Sequence, residues 1–116
     1  MKAIITIEGK TYDTMPDLIR NDKGWGIVFT LKHNDDSVFD VTTGVVKFFM
    51  KNSSTGVLKV NGTCTLTTPA TGIVTYTLIA ADLDTAAVYL GELQLTLGTA
   101  IYSVKLGRFQ VLEDLG

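Results

Sequence analysis

Apolar and polar residues alternate along most of the chain. Trp25, Ile27, Phe29 and Leu31 hold odd positions, with polar Thr30 and Lys32 between or beside them. Val46, Phe48 and Met50 alternate with Lys47 and Lys51, and Val74, Tyr76 and Leu78 with Thr75 and Thr77. The clearest run is Tyr89, Gly91, Leu93, Leu95 and Leu97, interleaved with Glu92, Gln94 and Thr96. Successive side chains of a strand point to opposite faces, so each run predicts a strand buried on one face and wet on the other. The abundance of threonine, valine and aromatics suits that reading.

Turn chemistry separates the runs. Asn34-Asp35-Asp36-Ser37 follows the Trp25 strand, and Asn52-Ser53-Ser54-Thr55-Gly56 follows the Phe48 strand. Asn61-Gly62 predicts a tight hairpin between Val57–Val60 and Thr63–Leu66. Pro69 to Gly72 makes a further break, and Gly98-Thr99 joins two long strands. The last strand, from Ile101 to about Leu112, changes phase: Tyr102, Val104 and Leu106 are even, Phe109 and Val111 odd. A bulge at Gly107 would turn both sets toward the core. Ala80 to Ala87 hints at a helical turn crossing between sheets. Met15 to Ile19 reads as a short edge strand that tolerates Pro16.

These features predict a single all-β domain over residues 1–116. Its form is a two-sheet immunoglobulin-like β-sandwich of about seven or eight antiparallel strands, with residues 1–20 as an N-terminal arm or edge strands. Phe29, Phe48, Tyr76, Leu93 and Leu95 are expected in the core.

Composition narrows the function classes. With 46% hydrophobic and 19% charged residues in 116, the chain has enough apolar surface for one core. The longest uncharged stretch, Val60 to Ala81, is broken by Gly62, Pro69 and Gly72, so no membrane insertion is expected. The first apolar run is too short for a signal peptide, which points to synthesis in a cytoplasm. Net charge is −2 and no basic run occurs, so nucleic-acid binding is not expected. Cys64 is the only cysteine, which rules out an intrachain disulfide framework.

Candidate chemistry is sparse. His33 ends a strand beside a polar turn and reads as a surface histidine. Asp35, Asp36 and Asp40, and Asp82 with Asp84, could gather around calcium, but Asp also serves turns by bonding nearby backbone. No phosphate loop, triad or cofactor motif is present, so the expectation is a non-enzyme without cofactor or metal. Trp25, Tyr12 and Tyr102 do not single out a sugar platform. Apolar residues that alternation leaves outside mark a candidate interface: Ile4 and Ile5 in the N-terminal run, Phe49 opposite in phase to Phe48, and Val57.

The order of pieces resembles a known family. Asp22-Lys23-Gly24-Trp25-Gly26-Ile27-Val28-Phe29-Thr30-Leu31 is followed by Asn34-Asp35-Asp36. Phe39-Asp40-Val41-Thr42-Thr43-Gly44 and Val45-Val46-Lys47-Phe48-Phe49-Met50-Lys51 come next. Later stand Gly72-Ile73-Val74-Thr75-Tyr76-Thr77-Leu78, Asp82-Leu83-Asp84, Tyr89-Leu90-Gly91-Glu92-Leu93-Gln94-Leu95 and Phe109-Gln110-Val111. This resembles the N-terminal immunoglobulin-like domain of phage baseplate upper proteins and related phage tail proteins, over about Asp22 to Val111. Ala86-Ala87 departs from it, where such domains often carry glycine before the tyrosine. The resemblance implies a structural, non-catalytic part of a phage or prophage tail or baseplate. Such a part is made in the bacterial host and resides in the virion, where it docks with other tail proteins or with copies of itself. The competing expectation is an immunoglobulin-like adhesion or carbohydrate-binding module.

Overall fold

Ten strands form two five-stranded sheets in the computed structural model, which describes residues 1–115. They are β1 (Lys2–Ile7), β2 (Lys10–Tyr12), β3 (Leu18–Ile19), β4 (Gly26–Lys32), β5 (Val45–Asn52), β6 (Leu58–Thr63), β7 (Thr65–Thr68), β8 (Ile73–Thr77), β9 (Ala87–Leu97) and β10 (Ala100–Leu112). The first sheet runs β2-β1-β4-β8-β7 and the second β3-β10-β9-β5-β6. The chain is an all-β sandwich. Its sheets carry the A-B-E-D and G-F-C strand sets of immunoglobulin domains, as β1-β4-β8-β7 and β10-β9-β5, with β6 in the C′ place. There are more strands than the seven or eight expected, because β2 and β3 are too short to show a period. One pair, β3 with β10, is parallel.

The predicted alternation holds where it is strongest. Ile27, Phe29 and Leu31 of β4 are fully buried against Val46, Phe48 and Met50 of β5 and Leu93 and Leu95 of β9. Phe29 and Phe48 rings lie 5.7 Å apart across the sheets, and Tyr76 lies 5.0 Å from Phe48. The predicted bulge is present: the β9–β10 register shifts between Lys105 and Gly107, and Gly107 has φ +89°. Leu106 before it and Phe109 after it are both buried. Gly98 and Thr99 form a two-residue loop with positive φ at Gly98 only, as a type II′ turn needs.

The hairpin predicted at Asn61-Gly62 is absent. Both residues lie inside β6, where Asn61 pairs with Phe49 and Gly62 with Phe48. β6 and β7 belong to different sheets, and the chain changes sheet at Cys64, whose N–H donates to Val46 O at 2.8 Å. Gly62 faces the core: a Cβ there would come within 2.9 Å of Tyr76 Cζ and Oη. Packing across the sandwich, and not turn conformation, requires the glycine.

Residues 78–86 cross from β8 to β9 as predicted, but as turns without a helix. The buried Asp82 carboxylate holds the crossing, accepting from Tyr76 Oη at 2.7 Å and Ile79 N at 3.0 Å. At the start of β9, Tyr89 Oη donates to Thr85 O at 2.8 Å. A tyrosine near the start of the F strand bonding back to backbone a few residues upstream is the tyrosine corner of immunoglobulin folds.

The N-terminal segment is no loose arm. β1 lies inside the first sheet, hydrogen-bonded to β2 on one side and β4 on the other. The edges are β2, β7, β3 and β6. The first three are only three, four and two residues long, which blunts edge-to-edge pairing.

Candidate functional site

The outer face of the second sheet carries an exposed concavity. Its pattern follows from register. Phe49 of β5 lies between Asn61 of β6 and Glu92 of β9, and Glu92 faces Lys105 of β10. In the next row Leu58, Lys51, Leu90 and Arg108 lie side by side. Lys47 and Gln94 make the row beyond. Without the Gly107 bulge, strand alternation would turn Arg108 inward; the extra residue returns it to the outer face. Gly91 and Gly107 pair directly at the bulge, where a Cβ on Gly91 would point inward against Leu106 and Phe109.

The result is a hollow of about 620 Å³ lined by Phe49, Leu58, Leu90, Lys51, Lys105 and Arg108, among others. Leu58 and Leu90 are 51% and 40% exposed, and Phe49 is half-buried. Lys47, Lys51, Lys105 and Arg108 stand around one carboxylate, Glu92. Three surface ion pairs, Lys2–Asp36, Arg20–Glu113 and Lys59–Asp84, use none of these five groups. On a chain of net charge −2, this face is locally basic with an apolar floor.

The four candidate interface residues do not form one surface. Phe49 and Val57 lie at the second sheet: Val57 is 64% exposed in the loop before β6, next to Leu58. Ile4 is half-buried on the outer face of the first sheet, opposite Thr30. Ile5 is wrongly placed among them. It is fully buried in the core, because β1 is an interior strand and its odd positions face inward. Leu90, Lys105 and Arg108 complete the hollow and were not singled out in the sequence. The phase of β9 and the predicted bulge were the signals that could have found them.

The other candidate groups are spoken for. Asp35 Oδ1 accepts from Ser37 N and Oγ, and Asp40 Oδ1 from Thr42 N and Oγ. These bonds hold both carboxyls below their usual range. Lys59 beside Asp84 does the same there. Among the described residues no three His, Cys, Asp or Glu side chains converge as a metal cluster. His33 is exposed and stacks on Phe39 with ring centroids 4.0 Å apart. Burial pushes the Cys64 thiol up to about 12, where it stays protonated and a poor nucleophile at neutral pH. Trp25 is half-buried against the core. Among the described residues no helix is long and apolar enough to cross a membrane.

No family model matches the chain, and a search of curated proteins returns no match.

Proposed function

We propose that this immunoglobulin-like domain is a non-catalytic structural component of a phage tail or baseplate. In this reading it works by docking onto other tail proteins. The family resemblance over about Asp22 to Val111 supplies the context. The observation that carries the docking reading is the hollow on the outer face of the second sheet. There Phe49, Leu58 and Leu90 offer apolar contact inside a ring of cations that the ion pairs Lys2–Asp36, Arg20–Glu113 and Lys59–Asp84 do not use. Apolar floor and charged rim are the composition of a protein interface. Glu92 in the middle of the hollow disfavours a phosphate backbone as its occupant.

The test is incorporation. The chain is tagged in its host, particles are purified, and a photo-crosslinker at Phe49 captures its neighbour for mass spectrometry. A tail or baseplate protein joined at Phe49 is the expected result. Particles free of the chain, or specific binding on a glycan array with no particle association, would overturn the reading in favour of an adhesion or carbohydrate-binding module.

A further inference from the structure

The hollow has a spacing as well as a charge. Lys105 and Arg108 stand on β10, Lys47 and Lys51 on β5, and β9 runs between them with Leu90 and Glu92 on its outer face. Neighbouring strands lie about 4.8 Å apart, so the two cationic strands flank β9 at a separation of roughly 10 Å. Lys105 shares a row with Glu92, and Arg108 the next row with Leu90. The bulge at Gly107 sets this, fitting three residues of β10 against two of β9. Successive rows on one face of a sheet are about 6.7 Å apart, the rise of two residues.

Carboxylates on alternate residues of an extended segment have that same spacing, and the residue between them points to the opposite side. A segment laid edgewise along β9, with its carboxylates toward Lys105 and Arg108, turns the intervening residue toward Phe49 and Leu58 across the trough. Glu92 in the floor repels a strand that carries charge on every unit, but not one whose acids stay on the β10 side. We propose that the hollow takes an extended acidic segment of a partner protein, in which Asp or Glu alternates with aliphatic residues. The inference deepens the docking reading and rests on it in taking the hollow as the docking surface. A short segment covers far less area than a standard interface, so the contact is weak, with Kd on the order of 10 µM to 1 mM.

Fluorescence anisotropy of a short labelled peptide of alternating glutamate and leucine, titrated with the full chain to about 1 mM, tests this. Binding should saturate and should weaken as salt rises from about 0.01 to 0.15 M. A peptide of the same composition with its glutamates in one block should bind at least about tenfold more weakly, the loss of roughly one good contact. Lys105→Glu with Arg108→Glu should cost at least as much. Both positions are exposed, and circular dichroism checks that the fold is kept. Leu58→Ser should weaken binding separately while leaving its salt dependence unchanged. No saturable binding, equal binding of the block peptide, binding that survives the charge reversal, or tighter binding of a single-stranded oligonucleotide of equal charge would each overturn the proposal. So would self-association of the wild type that the charge reversal abolishes, which would assign the hollow to a second copy. A chain found in tail particles that binds no acidic peptide overturns only this inference; a peptide-binding chain absent from them overturns only the proposed function.

Discussion

Gly62→Ala probes the contact that replaced the expected hairpin. The added methyl would point from β6 across the sandwich into the Tyr76 ring, within 2.9 Å of Cζ and Oη. Tyr76 cannot simply swing away. Its ring lies 5.0 Å from Phe48, and its hydroxyl donates at 2.7 Å to the buried Asp82 carboxylate. Forcing a methyl into a filled core costs about 1–3 kcal/mol. Weakening a buried hydrogen bond adds about 1 kcal/mol. Removing a glycine from the unfolded chain returns about 0.4–1 kcal/mol. The expected net loss is about 1–3.5 kcal/mol, a large share of the roughly 5–15 kcal/mol typical of a domain. Urea unfolding should show a lower midpoint with an unchanged slope. In a Tyr76→Leu background the obstructing ring atoms are gone, and the same substitution should cost less than about 1 kcal/mol, giving a clear coupling. A Gly62→Ala protein within about 0.5 kcal/mol of wild type, or equal costs in the two backgrounds, would refute the steric argument.

Three further outcomes are expected. Leu93→Ala, at a fully buried site in β9, should lose about 2–5 kcal/mol, while its neighbour Gln94→Ala on the wet face should stay within about 0.5 kcal/mol, both read from urea midpoints. Stability should be flat at neutral pH and fall as pH rises above about 9. Burial raises Cys64 from 9.0 to about 12, and burial with the Asp82 bond raises Tyr76 above its usual 10.0, so the unfolded chain loses these protons first. Melting temperatures of wild type and Cys64→Ala between pH 8 and 11 check this, the variant having the shallower slope. Finally, native Cys64 should resist a thiol reagent at pH 8 and react only on unfolding, since it is 5% exposed and protonated.

Much of the fold was legible because its strongest strands are wet on one face. The phases of β4, β5, β8 and β9 gave the inward set Phe29, Phe48, Tyr76, Leu93 and Leu95, all of them buried. The phase change in β10 located the bulge at Gly107. What could not be read was set by contacts distant in sequence. Asn61-Gly62 has the local chemistry of a turn, but Gly62 answers to Tyr76 on the opposite sheet. Ile5 looked like an edge residue, because nothing local says that the three-residue β2 covers the free side of β1. Asp82 looked like a loop acid, yet it is the buried acceptor that holds the crossing. The candidate site was partly legible: Phe49 was marked by phase alone, whereas the cationic rim exists only once β5, β9 and β10 lie side by side.

The two outer faces of the sandwich differ in a way that bears on assembly. Register puts Ile4, Thr6, Val28, Thr30, Ile73 and Thr75 on the outside of the first sheet, a field of β-branched residues with Lys2 and Lys32 at one end. The outside of the second sheet carries Lys47, Lys51, Lys105 and Arg108 around Glu92. If two copies met symmetrically through their second sheets, eight cations would converge on two carboxylates, four and one from each copy. Like charges brought together at an interface disfavour that arrangement. A symmetric dimer through this face is therefore the least favourable use of it. Its charge calls for an unlike, acidic surface. As the proposed docking surface, this face would therefore join unlike surfaces and not two copies of itself.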